Sequence, residues 1–469
     1  MRRLIASVLL AALPLASAMA EVAPVSTAPT AAPIQAADFA RIPYVSQPEL
    51  SPDGLYLGGL MGIEGRQVIA IVSLFDQAKP VVLALPEDNQ AAWVRWVNND
   101  HLIVGIRALM PVVGDRWIVS RMISVHRPTG KVTKVLWDQN GQNSADVLWT
   151  ARDGSPQILV AAQNSIFVDE EFWPKVWRVN VETGKRVVAQ KGRDGVMDWY
   201  ADAAGRVRAG LWYEDHGRKF RLLYRAADEG TYRTVDKADS KKEEDLLSPF
   251  LFLPGTNNAL VVHDDESGRS AIYEVDMTTR QDLRTVFSAP NGAEVSGVEV
   301  AADGTSLLGV YYTGKSDGMT WLDPKLAELQ TLIDKALGTS GRRAQVVSLS
   351  ADRTRLLVRV DRADSPGALY YFNTADGAMQ RIAFYNEALG TKPLNPVRTI
   401  QYKARDGLEI EAVLTLPKDR PAKALPIVVM PHGGPWAHDT ADYDYWAQFV
   451  ASRGYAVIQP NFRGSTGYG

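Results

Sequence analysis

The chain has 469 residues, of which 46% are hydrophobic and 22% are charged, and its formal net charge is −3. A chain of this length exceeds what one hydrophobic core usually organises, so we predict at least two domains. The nearly neutral charge provides no basic stripe of the kind that binds nucleic acid. The chain contains no cysteine, which excludes disulfides and thiol chemistry.

The first twenty residues have the features of a secretory signal peptide. Arg2-Arg3 precedes an apolar stretch at 4–15, and residues 18–20, Ala-Met-Ala, have the small-x-small pattern of a signal-peptidase site. A membrane anchor is the alternative, but the apolar run is shorter than the roughly 20 residues that span a bilayer. We therefore predict a signal peptide at 1–20, an exported protein that is periplasmic or secreted, and no stable membrane insertion. Residues 21–50 are predicted to be a flexible lead-in and a short N-terminal segment.

A polar turn recurs with a spacing of roughly 50 residues through the middle of the chain. The seven turns are Asp53-Gly54, Asn98-Asn99-Asp100, Asp153-Gly154, Ala204-Gly205, Gly255-Thr256-Asn257, Asp303-Gly304 and Asp352-Arg353. Short β-rich runs follow these turns, for example 157–162 and 355–360. Such units are typical of β-propeller blades. We predict an all-β seven-bladed propeller over 51–385, and a stacked pair of β-sandwiches is the alternative.

The pattern changes near residue 390, where longer elements replace the short repeated runs. The predicted elements are, in chain order, strands at 397–403, 408–416 and 427–430, a helix at 441–452 and a strand at 456–459. The run at 427–430 is apolar throughout, which suits a strand buried on both faces of a parallel sheet. This order matches the opening half of an α/β-hydrolase sheet. The predicted fold class is therefore an all-β seven-bladed propeller followed by the N-terminal part of an α/β-hydrolase domain at 390–469.

Two motifs stand at the ends of the last two predicted strands. His432-Gly433-Gly434-Pro435 follows one strand, and Asn461-Phe-Arg-Gly-Ser-Thr-Gly-Tyr-Gly469 follows the other. The first motif places backbone N–H groups at the carboxyl edge of a sheet, where an oxyanion could be held. Together, the segments 425–435 and 455–469 resemble the start of the catalytic domain in the prolyl oligopeptidase family of serine peptidases, in its acylaminoacyl-peptidase and dipeptidyl-peptidase branches. The resemblance implies a propeller before the hydrolase domain, oligopeptide substrates and no cofactor.

The nucleophile of such an enzyme is missing from the sequence, because the 469 residues contain no Gly-x-Ser-x-Gly segment. In α/β-hydrolases the catalytic Ser, Asp and His follow the strands found here. We therefore predict that the triad lies after Gly469, that the chain is C-terminally truncated, and that it is inactive alone. The predicted contribution of this chain to catalysis is therefore a backbone N–H group that donates to the oxyanion. The backbone N–H of Gly434 is the first candidate and that of Gly433 the second, because glycine lets the backbone approach a substrate closely.

The histidines are not predicted to be catalytic bases or metal ligands. The resemblance places His432 outside the triad, as a support for the oxyanion loop. His438 follows it, but two histidines without an ordered carboxylate between them do not predict a metal site. The other histidines are predicted to be ordinary polar positions of the blades: His101, His126, His216 and His263. Arg463 is predicted to form an ion pair or a turn rather than to bind a substrate carboxylate.

Glu170 and Glu171 are candidates for binding the amino terminus of a substrate. In dipeptidyl-peptidase relatives a pair of propeller glutamates holds the substrate's free amino group, and carboxylates attract an ammonium group. The neighbouring residues match that motif poorly, so a solvated loop is the favoured interpretation of this segment.

The leading functional prediction is an exported serine peptidase that hydrolyses short peptides, with the propeller limiting access to the active site. One alternative is a periplasmic propeller that binds a partner and carries a vestigial hydrolase segment, as the absent nucleophile suggests. A second alternative is an α/β-hydrolase esterase, which would share the oxyanion loop but usually carries a smaller cap.

Overall fold

The computed structural model describes residues 34–469 apart from 113, 215–217, 227–229, 243, 266, 315–316, 339–340, 435 and 469. The predicted signal peptide at 1–20 and residues 21–33 of the lead-in lie outside the described residues, as does His216. Residues 36–469 form one compact unit. No helix in the described part of the chain is long and apolar enough to cross a membrane.

The described residues form seven consecutive antiparallel sheets, each with its strands in chain order, followed by an eighth sheet of different topology. The first four sheets contain β1 (Val45–Leu50), β2 (Tyr56–Ile63), β3 (Arg66–Ser73) and β4 (Val81–Leu83); β5 (Asn89–Asn98), β6 (His101–Val112), β7 (Asp115–His126) and β8 (Lys131–Val135); β9 (Asp146–Thr150), β10 (Gln157–Ala162), β11 (Lys175–Asn180) and β12 (Arg186–Gln190); and β13 (Val196–Ala201), β14 (Val207–Glu214), β15 (Lys219–Tyr224) and β16 (Arg233–Asp239). The first sheet thus begins before the predicted boundary at Ser51.

The next three sheets continue the pattern, although the sixth has three strands. They contain β17 (Ser248–Phe252), β18 (Asn258–Asp264), β19 (Ser270–Asp276) and β20 (Gln281–Ser288); β21 (Glu294–Val300), β22 (Leu307–Thr313) and β23 (Gly318–Trp321); and β24 (Arg343–Leu349), β25 (Arg355–Arg362), β26 (Ser365–Asn373) and β27 (Met379–Phe384). Among the described residues, the helices before the eighth sheet are α1 (Ala36–Phe39), α2 (Pro324–Leu337) and two short 3₁₀ helices, Ser240–Lys242 and Pro290–Gly292.

Each of the seven predicted turns connects the first and second strands of one of these sheets. At the first turn the Ser51 hydroxyl donates a hydrogen bond to Asp53 at 2.5 Å, and Gly54 has φ +73°. Asp and Gly are favoured there because an Asp side chain bonds the nearby backbone and Gly accepts a positive φ. In each of these sheets, the start of the second strand is therefore set by the chemistry of the turn before it.

Apolar side chains fill the space between neighbouring sheets. Buried clusters join each sheet to the next, and one cluster joins the first sheet to the seventh through Leu57, Met61, Leu357 and Leu369. The Leu50 N–H also donates to the Ser348 hydroxyl of the seventh sheet at 2.9 Å. The mostly β-sheet architecture is consistent with a propeller domain, in which sheets pack face to face around a ring.

Helix α2 follows the three-stranded sheet and was not predicted from the sequence. Asp323 caps it, accepting hydrogen bonds from the backbone N–H groups of Lys325 and Leu326 at 3.0 Å. Leu326 and Ile333 are buried in the core between the sixth and seventh sheets. The helix therefore adds apolar side chains to the core between the sixth and seventh sheets.

The eighth sheet contains β28 (Val397–Lys403), β29 (Glu409–Thr415), β30 (Ile427–Val429) and β31 (Ala456–Asn461), in the order β28-β29-β31-β30. Helix α3 (Tyr445–Ser452) connects β30 to β31. These two strands are parallel and neighbouring, so the loops that follow them meet at one edge of the sheet. This meeting point creates the candidate site.

Two details of this region differ from the sequence predictions. The strand predicted to be buried on both faces is exposed on one of them, since Ile427 and Val429 are 64% and 63% exposed whereas Val428 between them is half-buried. Successive side chains of a strand point to opposite faces, and α3 packs on the face of Met430 while the described residues leave the face of Ile427 and Val429 uncovered. Helix α3 begins at Tyr445 rather than at the predicted residue 441, because Asp444 caps it, and its small side chains Ala447 and Ala451 pack on the sheet.

Carboxylates from the first strands of different sheets lie within electrostatic reach of one another. Burial raises the pKa of Glu49 on β1 to about 7, with Glu299 on β21 adding to the rise and Arg95 on β5 opposing it. Burial likewise raises the pKa of Asp146 on β9 to about 6, and Asp198 on β13 contributes. The first strands therefore converge on a common region that contains several poorly solvated acids.

Replacing Glu49 with Gln is expected to stabilise the fold at alkaline pH. A carboxyl whose folded pKa is raised destabilises the fold increasingly as the pH rises from its unfolded pKa, near 4.5, to its folded pKa of about 7. The gain in the free energy of unfolding should therefore be below about 0.5 kcal/mol at pH 4.5 and about 3 kcal/mol at pH 8. Urea unfolding at both pH values measures it, with Glu328→Gln, at an exposed position of α2, as the control. An equal gain at both pH values would contradict the claim that burial raises the pKa of the Glu49 carboxyl in the folded protein.

Candidate active site

The candidate site lies at the carboxyl ends of β30 and β31. Because the two strands run parallel, the His432-Gly433-Gly434 loop and the loop at 462–468 are neighbours. In open α/β sheets, ligands bind outside the carboxyl ends of the strands. The sheet topology therefore brings both sequence motifs to the edge where a substrate would bind.

The imidazole of His432 fixes the orientation of the peptide that follows it. Its Nδ1 lies 2.7 Å from the Gly433 carbonyl oxygen, a distance suited to an N–H donating to that oxygen. In a trans peptide the C=O and the next N–H point in opposite directions. The Gly434 N–H is therefore directed away from the imidazole, and both glycines are exposed. This is the geometry expected of a preorganised donor for an oxyanion.

Gly434 is the glycine that the loop conformation requires. It has φ +128°, and a Cβ atom at this position would lie 2.8 Å from the backbone nitrogen of Trp436. A Cβ at Gly433 would meet no atom within 4 Å. The structure thus separates the two candidates, because only Gly434 is restricted to glycine by both its backbone angle and the space around it.

The side chains of His432 and Ser465 connect the two loops, which the sequence analysis did not predict. The His432 Nε2 lies 2.8 Å from the Ser465 Oγ, and the same hydroxyl lies 2.6 Å from the Phe462 carbonyl oxygen. The imidazole also stacks on the Phe462 ring, with 4.4 Å between ring centroids. A contact between residues this far apart in sequence leaves no local signal. The first loop is thereby supported by the second.

The contact between His432 and Ser465 differs from a catalytic dyad. A catalytic histidine is oriented by a carboxylate on Nδ1, whereas the Nδ1 of His432 faces the carbonyl of Gly433. Ser465 is 8% exposed, which leaves its hydroxyl little access to a substrate. The geometry instead suits the supporting role that was predicted for His432.

A hydrogen-bond network anchors the second loop. Asn461 is 4% exposed, and its amide bonds both the backbone of Asp439 and the hydroxyl of Tyr468. The Tyr468 hydroxyl donates to Glu411 at 3.1 Å, and burial raises the pKa of Tyr468 well above its ordinary value. The Gly467 N–H donates to Glu294 of the sixth sheet at 2.7 Å. The loop is thereby fixed both to its own sheet and to the preceding sheets.

A cavity of about 530 Å³ lies beside His432, between the loop after β30 and the start of α3. A second cavity, of about 620 Å³, lies between the sixth and seventh sheets and shares Thr440 and Asp442 with the first. Arg343 at the start of β24 forms ion pairs with both Asp361 and Asp442 across this shared boundary. The cavity beside His432 therefore adjoins the cavity between the sixth and seventh sheets.

Glu170 and Glu171 are not brought to this site by any contact within the described residues. Both lie in the loop between β10 and β11 and are exposed. Both carboxylate oxygens of Glu171 accept hydrogen bonds from Lys175 at 2.8 Å, which lowers the pKa of Glu171. The structure therefore shows a solvated loop with an internal ion pair at this position.

The remaining predicted positions have structural partners. His101 and His126 face each other across β6 and β7, with ring centroids 4.9 Å apart, and His263 stacks on Tyr273. Arg463 forms an ion pair with Asp406 at 2.6 Å, which lowers the pKa of Asp406. Within the described ranges, no group of three or more His, Cys, Asp or Glu residues could hold a metal ion.

The chain is similar to several known peptidases. No family model matches the chain. Dipeptidyl aminopeptidase BIII of Pseudoxanthomonas mexicana is 27% identical over 312 residues, covering 63% of this chain and 43% of that enzyme. The acylamino-acid-releasing enzyme of Sus scrofa is 42% identical over 64 residues, covering 13% of this chain and 9% of that enzyme. A solved structure of a prolyl endopeptidase has a TM-score of 0.63 at 13% identity, covering 92% of this chain and 63% of that one. At this identity the likeness concerns the fold alone.

The homologues and structural neighbours of this chain are thus peptidases. They are members of the prolyl oligopeptidase family, so the resemblance predicted from the two C-terminal motifs is confirmed, and with it the interpretation as a serine peptidase by family resemblance. The chain spans less than two thirds of the length of the dipeptidyl aminopeptidase and the prolyl endopeptidase that it resembles.

Proposed function

We propose that this chain is part of an exported serine peptidase that hydrolyses short peptides. The seven antiparallel sheets from Val45 to Phe384 would be the blades of a propeller, and the sheet from Val397 to Asn461 would open an α/β-hydrolase domain. The observation that carries the proposal is the orientation of the Gly433–Gly434 peptide by His432 at the carboxyl edge of parallel strands. Export is supported by the signal-peptide pattern at residues 1–20.

In the proposed reaction, a serine hydroxyl attacks the peptide carbonyl and a histidine takes its proton. The tetrahedral intermediate carries a negative oxygen, which the Gly434 N–H stabilises by a hydrogen bond. Losing one such donor typically lowers kcat by a factor of about 100 to 1000. The serine, its histidine and the orienting carboxylate would be supplied by residues of the whole protein outside these 469, in the Ser, Asp, His order of α/β-hydrolases.

The antiparallel sheets would limit access to the site by size. The cavity between the sixth and seventh sheets adjoins the cavity beside His432 at Thr440 and Asp442, and in this proposal the two together form the substrate path. A peptide in an extended conformation could follow such a path, whereas a folded protein could not. The predicted substrates are therefore oligopeptides.

The proposal predicts that the whole protein cleaves a free decapeptide at least 100-fold faster than the same ten residues displayed in a surface loop of a folded protein. Mass spectrometry of timed digests measures both rates, and a trypsin digest of each substrate is the control for accessibility. Equal rates would contradict the limit on access. Hydrolysis of p-nitrophenyl acetate without hydrolysis of any peptide would favour an esterase, and hydrolysis of neither would favour a propeller that binds a partner.

A further inference from the structure

The cavity beside His432 has walls that suit a cation. Its lining includes three aspartates, Asp439, Asp442 and Asp444, and contains neither Lys nor Arg. Aromatic rings at the start of α3, including that of Trp446, form another part of its wall. Carboxylates attract an ammonium group, and aromatic faces attract it as well.

Of the three aspartates, Asp439 has the greatest unused capacity to accept hydrogen bonds. Asp442 is paired with Arg343 and accepts the Thr440 hydroxyl. Asp444 caps α3, accepting two backbone N–H groups at 2.8 and 3.0 Å, and also accepts the Gln459 amide at 3.1 Å. The Asp439 carboxylate accepts the backbone N–H of His432, and among the described residues no further hydrogen bond to it is found.

Two buried polar atoms of the same cavity wall lack a partner among the described residues, the Nδ1 of His438 and the hydroxyl of Tyr443. The His438 side chain is 3% exposed, and its Nε2 lies 3.9 Å from Asp317. With the proton on Nε2, facing that carboxylate, Nδ1 presents a lone pair. A buried polar atom without a partner costs about 1–3 kcal/mol, so a ligand that donates a proton here would be favoured.

We propose that this cavity binds the free α-ammonium group of the peptide substrate, with Asp439 as its counter-ion and His438 and Tyr443 as further acceptors. The proposal rests on the peptidase function proposed above and names its substrates as peptides with an unblocked amino terminus. It places amino-terminal recognition beside the oxyanion loop rather than at Glu171, whose carboxylate is already paired with Lys175.

The test compares alanyl-alanyl-p-nitroanilide with its N-acetylated form as substrates of the whole protein. The native protein should have a kcat/KM at least tenfold higher for the free amine. Asp439→Asn should lower kcat/KM for the free amine about tenfold, chiefly through KM, and change that for the acetylated substrate less than twofold. The substitution keeps an oxygen that can accept the His432 N–H, so the loop is expected to fold.

Three further variants complete the test. Tyr443→Phe removes one hydroxyl and should raise KM for the free amine two- to fivefold without affecting the acetylated substrate. Asp419→Asn, at an exposed position, is the matched control and should change neither rate. Glu171→Gln should leave the ratio of the two rates unchanged.

Equal rates of the native protein on both substrates would overturn the inference, as would an unchanged ratio in Asp439→Asn together with Tyr443→Phe. Loss of the preference in Glu171→Gln would assign recognition to the β10–β11 loop instead and would also overturn it. Hydrolysis of neither substrate, nor of any longer peptide, would contradict the proposed peptidase function itself.

Discussion

Replacing Gly434 with Ala in the whole protein is expected to lower kcat for peptide hydrolysis by a factor of about 100 to 1000. The added Cβ would lie 2.8 Å from the Trp436 nitrogen, and φ +128° is unfavourable for any residue with a side chain. The 433–434 peptide must therefore rotate, and its N–H leaves the position that His432 now fixes. Steady-state kinetics on a peptide substrate measures the loss, which should appear in kcat rather than in KM.

The neighbouring glycine provides a matched control for this substitution. A Cβ at Gly433 meets no atom within 4 Å, so Gly433→Ala should keep kcat within about threefold of the native value. Both variants retain every backbone N–H, and they differ in whether the loop can keep its conformation. Equal losses in the two variants would contradict the assignment of Gly434 as the oxyanion donor, and an unchanged kcat in Gly434→Ala would do so directly.

Replacing Gln448 with Leu is expected to lower the free energy of unfolding by about 3 kcal/mol. Gln448 lies on α3 and is fully buried. Its amide accepts the Asn395 N–H at 2.9 Å and donates to the Asn395 carbonyl at 2.9 Å, clamping α3 to the segment that precedes β28. Leucine fills similar space but leaves both backbone groups of Asn395 buried without partners, at about 1–3 kcal/mol each.

Urea unfolding measures the loss, and hydrogen exchange shows where it acts. Amides of α3 and of residues 386–396 should exchange faster in Gln448→Leu, while those of the first sheet keep their protection. Gln380→Leu, at an exposed position on β27, is the control and should change the free energy of unfolding by less than about 0.5 kcal/mol. A loss no larger than that of the control would show that the clamp is dispensable.

Features with a local cause could be predicted from the sequence. The Asp-Gly and similar turns place the junction between the first two strands of every antiparallel sheet, because the turn residues themselves make the necessary contacts. The strand at 397–403 was predicted with the bounds that the structure has. Helix α2 was missed although its signals are local. Asp323 and Pro324 mark its start, and Leu326 and Ile333 have helical spacing.

Features that depend on distant contacts could not be predicted. The support of His432 by Ser465 joins two loops that the parallel pairing of β30 and β31 brings together. The exposure of Ile427 and Val429 depends on what packs on each face of the sheet, which the apolar run itself does not reveal. The clamp between Gln448 and Asn395 likewise depends on where α3 packs. In the candidate site, the sequence singled out Gly433 and Gly434 as candidate oxyanion donors, which stays a prediction, and the structure was needed to show which contacts orient this peptide.

The most direct test of the central claim is to treat the whole protein with a fluorophosphonate and identify the modified residue by mass spectrometry. We predict that one serine is labelled stoichiometrically, that it lies in a Gly-x-Ser-x-Gly segment, and that peptide hydrolysis is lost in proportion to labelling. Labelling of Ser465 would contradict the account, because it would make the contact with His432 a catalytic dyad. Full peptide hydrolysis without any labelled serine would contradict serine catalysis altogether.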